Sequence, residues 1–247
     1  MKKLFCILLI ALITVSMAAC SPAGTAETTG AGKTEAPTDA KTEVSTEAPP
    51  AKEFVYVSVY NGSSVVCSWE AVELKDEDND SKMTINDVLV AIHDAKNKGA
   101  YASAEGQYGL SITKLWGDES GAFGYYLNDG MAMSLTDEVK AGDRVYAYVY
   151  SDKTAWTDAY SFFDTSLISG KLGQTVTLKL FSVGFDETWA PVNNPVAGAT
   201  ITIDGQATEF KTGEDGSVQI TLPDKAAVIS ATADGMTLIP PVLTVSK

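Results

Sequence analysis

The sequence predicts an α+β fold, with one main helix on a mixed sheet followed by an all-β sandwich. Three observations predict it. Residues 54–60, "FVYVSVY", alternate, are rich in Val and Tyr, and run into Asn61-Gly62, a strong hairpin signal. Ile85, Val88, Leu89, Ile92 and Ala95 recur at steps of three and four, one apolar face of a helix that closes near Gly99. Beyond residue 171, "QTVTLKLFSV", "GATITIDG", "SVQITLP", "AVISATADG" and "PPVLTVSK" are short strands punctuated by Gly, Asp and Pro, the pattern of a small sandwich.

The chain opens on a targeting segment, residues 1–19. Lys2 and Lys3 form a basic start, and Leu4–Val15 is apolar but shorter than the roughly 20 residues of a membrane span. Ser16-Met17-Ala18-Ala19-Cys20 then supplies small residues before a Cys. This resembles the bacterial lipobox, whose Cys is lipidated and becomes the first residue of the mature chain. Met17 stands where Leu is usual, and an ordinary signal peptide cleaved nearby is the other reading. A diacylglyceryl group on Cys20 would bring two acyl chains, enough for stable anchoring. Cys6 leaves with the leader, so Cys67 is left without an intramolecular partner and reads as a small buried residue.

Residues 20–52 form the lipidated Cys and a linker. Positions 21–52 hold seven Thr, seven Ala, four Pro and four Glu, with Val44 as the single branched aliphatic. Such a stretch buries too little apolar surface to offset its ordering entropy. As a flexible coil it spans about 30 Å r.m.s.. Loss of Lys2 and Lys3 with the leader leaves 16 of the 18 basic residues against 32 acidic ones, a net charge of −16. That excludes nucleic acid and anionic lipid as electrostatic partners and permits cations.

Residues 53–168 form the first folded domain and residues 169–247 the second. "SSVVCSWEAVEL" returns from the Asn61-Gly62 turn, and "YGLSITKLW", "FGYYLND" and "DRVYAYVY" follow the helix as strands. The sequences "TINDVLVAIHDA", "GLSITKLWGDESGAFGYYLNDGMA" and "LTDEVKAGDRVYAYVY" resemble the transcobalamin-C-terminal-like (DUF4430) domain over about residues 54–163. The resemblance implies a β-grasp-like module. In eukaryotic cobalamin carriers the similar domain covers one face of the corrin. The large helical domain that supplies the other half of that site has no counterpart in this sequence. In the second domain, "NPVAGATITIDG" and "TGEDGSVQITLP" resemble carboxypeptidase-regulatory-like and related Ig-like modules of bacterial surface proteins, which space or stabilise.

Between the first hairpin and the helix lies "DEDNDSKMTIND", residues 76–87. Counted from Asp76, oxygen ligands fall at positions 1, 3 and 5 (Asp76, Asp78, Asp80), at 7 through the Lys82 carbonyl, at 9 (Thr84) and at 12 (Asp87). An EF-hand loop needs these places because Ca²⁺ takes six to eight oxygens. Ser81 replaces the turn glycine, and Asp87 replaces the bidentate Glu in a manner that resembles the dockerin loop. The other reading is a solvated acidic loop with Asp87 favourably placed at a helix N-terminus.

Catalytic chemistry finds no pattern. His93 is the one histidine, on the helix and without a nucleophile motif beside it, and no CxxC or HExxH occurs. The chain is read as non-enzymatic. Aromatic residues are the remaining resource: Tyr146, Tyr148 and Tyr150 share one strand face, Trp156 follows, and Trp116 precedes "GDESG". Exposed on a sheet they would bind flat or sugar-like ligands, and buried they would pack the sheet against the second domain. The expected function is that of a lipid-anchored, exported surface protein. It would bind a small ligand, glycan or partner protein through a Ca²⁺-stabilised first domain. A structural spacer or adhesin segment is the alternative.

Overall fold

The computed structural model describes residues 52–247, all within one compact unit, Pro49–Lys247. The leader, Cys20 and the linker lie outside the described residues. Among the described residues no helix is long and apolar enough to cross a membrane.

The first lobe holds β1 (Phe54–Tyr60), β2 (Val65–Glu73), α1 (Ile85–Lys96), β3 (Ala102–Gly106), β4 (Gly109–Lys114), β5 (Phe123–Leu127), β6 (Gly130–Met131) and β7 (Arg144–Val149). The main sheet runs β2-β1-β7-β5-β6, with β1 parallel to β7 and the other neighbours antiparallel. Alternation sorts its central strands into two buried faces. Val55, Val57 and Val59 of β1 and Val145, Ala147 and Val149 of β7 meet Ile85, Val88, Leu89 and Ile92 of α1. Tyr60, Tyr146 and Tyr148 point the opposite way. The Asn61-Gly62 signal gives a wider loop than a two-residue turn. Tyr60 pairs with Val65, and Asn61 Oδ1 accepts from the amides of Ser63 and Ser64 at 3.1 and 2.9 Å.

The second lobe holds β8 (Ala159–Phe163), β9 (Leu167–Ser169), β10 (Thr175–Phe185), β11 (Pro191–Pro195), β12 (Thr200–Ile203), β13 (Gln206–Lys211), β14 (Ser217–Thr221), β15 (Ala227–Thr232), β16 (Leu238–Ile239) and β17 (Leu243–Ser246). It is a two-sheet β-sandwich. One sheet runs β11-β10-β8-β16 with β14 also paired to β10, and the other runs β13-β12-β15-β17-β9. Leu178, Leu180, Ile201, Ile220, Ile229 and Leu243 fill the space between them. The sandwich draws in chain ahead of residue 169, because β8 pairs with β10 and β9 with β17.

The α+β class expected from the sequence is wrong: the described chain is nearly all β, with seventeen strands and one helix of twelve residues. The physical reason is coverage. The helix packs over β1 and β2, while Ile112 and Leu115 of the β4 region and Leu135 and Val139 of a loop close the rest of that face. The β-grasp-like expectation, with a main helix as the second layer, falls with it.

The lobes share a third core. Trp69 sits in a bulge of β2, where two residues oppose Ser58 between the pairs Val57↔Glu70 and Val59↔Cys67. Its left-handed φ of 50° is part of that bulge. From there its indole Nε1 donates to the Val242 carbonyl at 2.7 Å. Tyr146 donates to the Pro240 carbonyl at 2.7 Å, Tyr160 to Asp129 Oδ1 at 3.0 Å, and Thr244 to the Ser68 carbonyl at 2.8 Å. The rings of Tyr126 and Tyr160 stack with centroids 3.7 Å apart. Asp129 also holds Arg144, whose guanidinium lies 2.7 Å from its Oδ2 and 6.0 Å from the centre of the Trp69 ring.

Candidate functional site

The acidic loop is the first candidate, and the residues predicted to ligate a metal divide into two groups. Asp76, Asp78 and Asp80 come together, each offering an oxygen within 4.8 Å of the others. The loop ties itself by side chain to backbone bonds. Asp76 Oδ1 accepts from Asp80 N at 3.1 Å and its Oδ2 from Ser81 N at 2.8 Å, while Asp80 Oδ1 accepts from Lys82 N at 2.8 Å. Ser81 adopts φ 71°, the left-handed conformation that the missing glycine would favour. Desolvation raises Asp78, and the carboxylates of Asp80, Asp87 and Asp76 push it the same way. Asp76 is held below its usual range, because donations from the Ser81, Asn79 and Asp80 amides outweigh its desolvation.

Asp87 and Thr84 are engaged elsewhere. Asp87 is 1% exposed and sits at the third helical position. Its Oδ2 accepts from Thr84 N at 2.9 Å and Thr84 Oγ1 at 2.6 Å, and its Oδ1 accepts from Glu77 N at 3.0 Å. With the Asp87 amide donating back to Thr84 Oγ1, this is a capping box that starts α1. The side chain of Lys82 leans toward Glu138, at 3.6 Å. Asp76, Asp78 and Asp80 are thus the carboxylates that could hold a hard, oxygen-seeking cation, while Asp87 spends one oxygen on the helix cap and the other on the Glu77 amide.

The predicted ligand-binding aromatics also divide. Tyr146 and Tyr148 are 1% and 3% exposed, which is the buried one of the two arrangements the sequence allowed. The reason is that the face opposite α1 is covered by the second lobe. Burial holds the Tyr146 hydroxyl far above its ordinary range, which keeps it a neutral donor. Tyr150 is half-buried, and Trp156 emerges at 59% exposure with its ring 6.2 Å from that of Tyr150. Trp116 is half-buried on the α1 side of the first lobe, edge-on to His93 at 5.1 Å.

His93 is itself buried and fully partnered. Its Nδ1 lies 2.6 Å from the Leu89 carbonyl, and its Nε2 accepts from the Trp116 amide at 3.3 Å. These contacts select the neutral Nδ1–H tautomer. Burial lowers its pKa, against the opposing effects of the Leu89 bond and Asp94.

Sequence reasoning missed a cleft of about 650 Å³ between the lobes. The β1–β2 loop forms one wall, and β15, the β12–β13 turn and the β16 region form the other. Its lining comes from residues 60–65, 202–205 and 228–240, so no contiguous motif announces it. The only available signal was the outward run Val228, Ser230, Thr232 on a strand that alternates.

No family model matches the chain, and no curated protein matches it. Among solved structures it is similar to the N-terminal four Ig domains of Dscam1, in isoforms 9.44 and 7.44. The identities are 12% and 11% over 80% and 81% of this chain, with TM-scores of 0.23 and 0.24. The match spans 46% and 47% of those chains, less than half their length.

Proposed function

We propose that this chain is an exported, lipid-anchored surface protein whose folded part serves as a rigid structural spacer. The observation that carries the reading is the lobe junction. The aromatic residues that could have formed a binding face are spent on welding the two lobes together. A junction built from buried rings and buried hydrogen bonds resists hinge motion, because interiors packed this way are not continuously deformable. The basic start, apolar run and Cys20 support the anchoring, and the Thr/Pro-rich linker supports a tether that lifts the body from the membrane. Within this reading, Ca²⁺ held by Asp76, Asp78 and Asp80 stiffens the loop that leads into α1.

The test has two arms. Calorimetric unfolding should show one cooperative transition for both lobes, and two separated transitions would remove the rigid-spacer reading. Metabolic labelling with a fatty-acid analogue should mark the protein, with the label lost in Cys20→Ala. Label kept in that variant removes the anchor.

A second reading is favoured by Trp156, which stands out at the surface end of the tyrosine row. This placement supports ligand binding at Tyr150 and Trp156. Trp156→Ala should then weaken a ligand by about 1–3 kcal/mol, as loss of an aromatic anchor does.

A further inference from the structure

We propose that the cleft between the lobes binds a neutral saccharide of one or two rings. Strand β15 is the reason the cleft has a floor. Ala227, Ile229 and Ala231 face the sandwich core, which sends Val228, Ser230 and Thr232 outward. On a free sandwich that face meets bulk water. Here the β1–β2 loop of the first lobe stands over it and leaves a half-covered space. A volume of about 650 Å³ falls in the range of small-molecule sites, which favour domain interfaces.

The lining chemistry selects the ligand. Thr202 lies opposite Ser230 in the sheet register, and Thr232 and Thr237 add two more hydroxyls. Among the described residues none of these four hydroxyls is hydrogen-bonded within the protein, and none is a buried orphan. Thr232 and Thr237 are exposed, Ser230 is half-buried and Thr202 is 7% exposed, and none is committed to a partner within the described residues. No Lys, Arg or His lines the space, and its one carboxylate, Asp204, is already engaged. Asp204 Oδ1 accepts from Val228 N at 2.9 Å, and its Oδ2 lies 3.6 Å from Lys225 Nζ. An anionic ligand would find no counter-charge in a chain of net charge −14. Val65, Val228, Met236 and Leu238 supply apolar surface beside the hydroxyls. A purely apolar guest would strip water from those hydroxyls and leave them unmatched, which is costly. A ligand that carries C–H faces and hydroxyls on one neutral frame satisfies both, and a sugar ring is that frame.

No exposed aromatic ring lines the cleft, so affinity is expected on the order of millimolar. The experiment titrates the full chain with cellobiose, maltose and N,N′-diacetylchitobiose while amide shifts are followed by NMR. Glucuronate and 1,6-hexanediol serve as charged and apolar comparisons. At least one disaccharide should give saturable shifts at Ser64, Ser230, Thr232 and Thr237. Ser230→Tyr, which fills the floor, and Ser230→Ala with Thr237→Val, which removes hydroxyls without filling it, should each weaken binding tenfold or more. Both should melt within a few degrees of the parent. Failure of every disaccharide overturns the proposal, as do shifts placed outside the cleft and affinity retained in both variants. Hexanediol or glucuronate binding as tightly as the sugars overturns the ligand class.

Discussion

Gly124 is where the lobe junction can be loaded with a single methyl group. It pairs with Tyr148 across β5 and β7, and the hydroxyl end of the Tyr148 ring lies against it. A Cβ at position 124 would stand 2.7 Å from Tyr148 Cε2 and closer still to Cζ and the hydroxyl. Carbon atoms in contact sit about 3.5–4.0 Å apart, so the ring must move by roughly an ångström or more. It has little room to do so. Tyr148 is 3% exposed, contacts the rings of Tyr126, Tyr146, Tyr150 and Tyr160, and donates to the Tyr150 hydroxyl at 3.3 Å. Overpacking of this kind costs about 1–3 kcal/mol. For a domain of this size that lowers Tm by about 2–12 °C. Gly124→Ala is measured by thermal unfolding followed in the near-ultraviolet, where the tyrosines report. Gly106→Ala is the control, because a Cβ there meets only the Gly109 carbonyl at 3.8 Å. In a Tyr148→Ala background the penalty of Gly124→Ala should vanish, since the clashing ring is gone. A Gly124→Ala protein that melts with the parent, or a penalty that persists without Tyr148, would falsify the packing account of the junction.

His93 should make stability fall as pH is lowered. Burial depresses its folded pKa below the ordinary 6.5, so its contribution is complete above pH 6.5 and is lost as pH drops toward the folded value. Below that value the loss is constant. His93→Phe removes this component, and a parent whose melting point falls no more steeply than the variant's between pH 7.5 and 5 refutes it. For the acidic loop, millimolar Ca²⁺ should raise Tm by mass action and Mg²⁺ should do so less, because Mg²⁺ demands tighter octahedral geometry. Asp76→Ala with Asp80→Ala should abolish the rise, and a rise that survives places the ion elsewhere.

Local signals carried far in this sequence. The helix was legible from the spacing of Ile85, Val88, Leu89 and Ile92, all buried as that spacing requires, while Ala95 at the trailing end of the pattern is exposed. The sequence placed Asp87 favourably at a helix N-terminus, and the structure goes further by making it the partner of Thr84 in a capping box. The same two residues fit a calcium loop on spacing alone, because spacing does not say which of two partners a carboxylate will choose. The bulge at Trp69 was not legible. It depends on the register of β1 against β2, and its purpose lies at Val242, 173 positions along the chain.

The tyrosines show why the sequence left two readings of that strand face open. A strand such as "RVYAYV" alternates cleanly, and alternation is ordinarily the mark of a half-buried sheet with one wet face. Here both faces are dry: valines meet the helix, and tyrosines meet a second lobe. Tyrosine suits that second interface because its ring packs while its hydroxyl reaches polar groups across the junction, as Tyr146 does at Pro240 and Tyr160 at Asp129. An amphipathic ring reads the same in sequence whether its partner is a ligand, water or another part of the chain. Only the path of β16 and β17 across the first lobe decides between them. That path also buries Tyr146 and Tyr148 and leaves the hydroxyl-floored cleft beside them open.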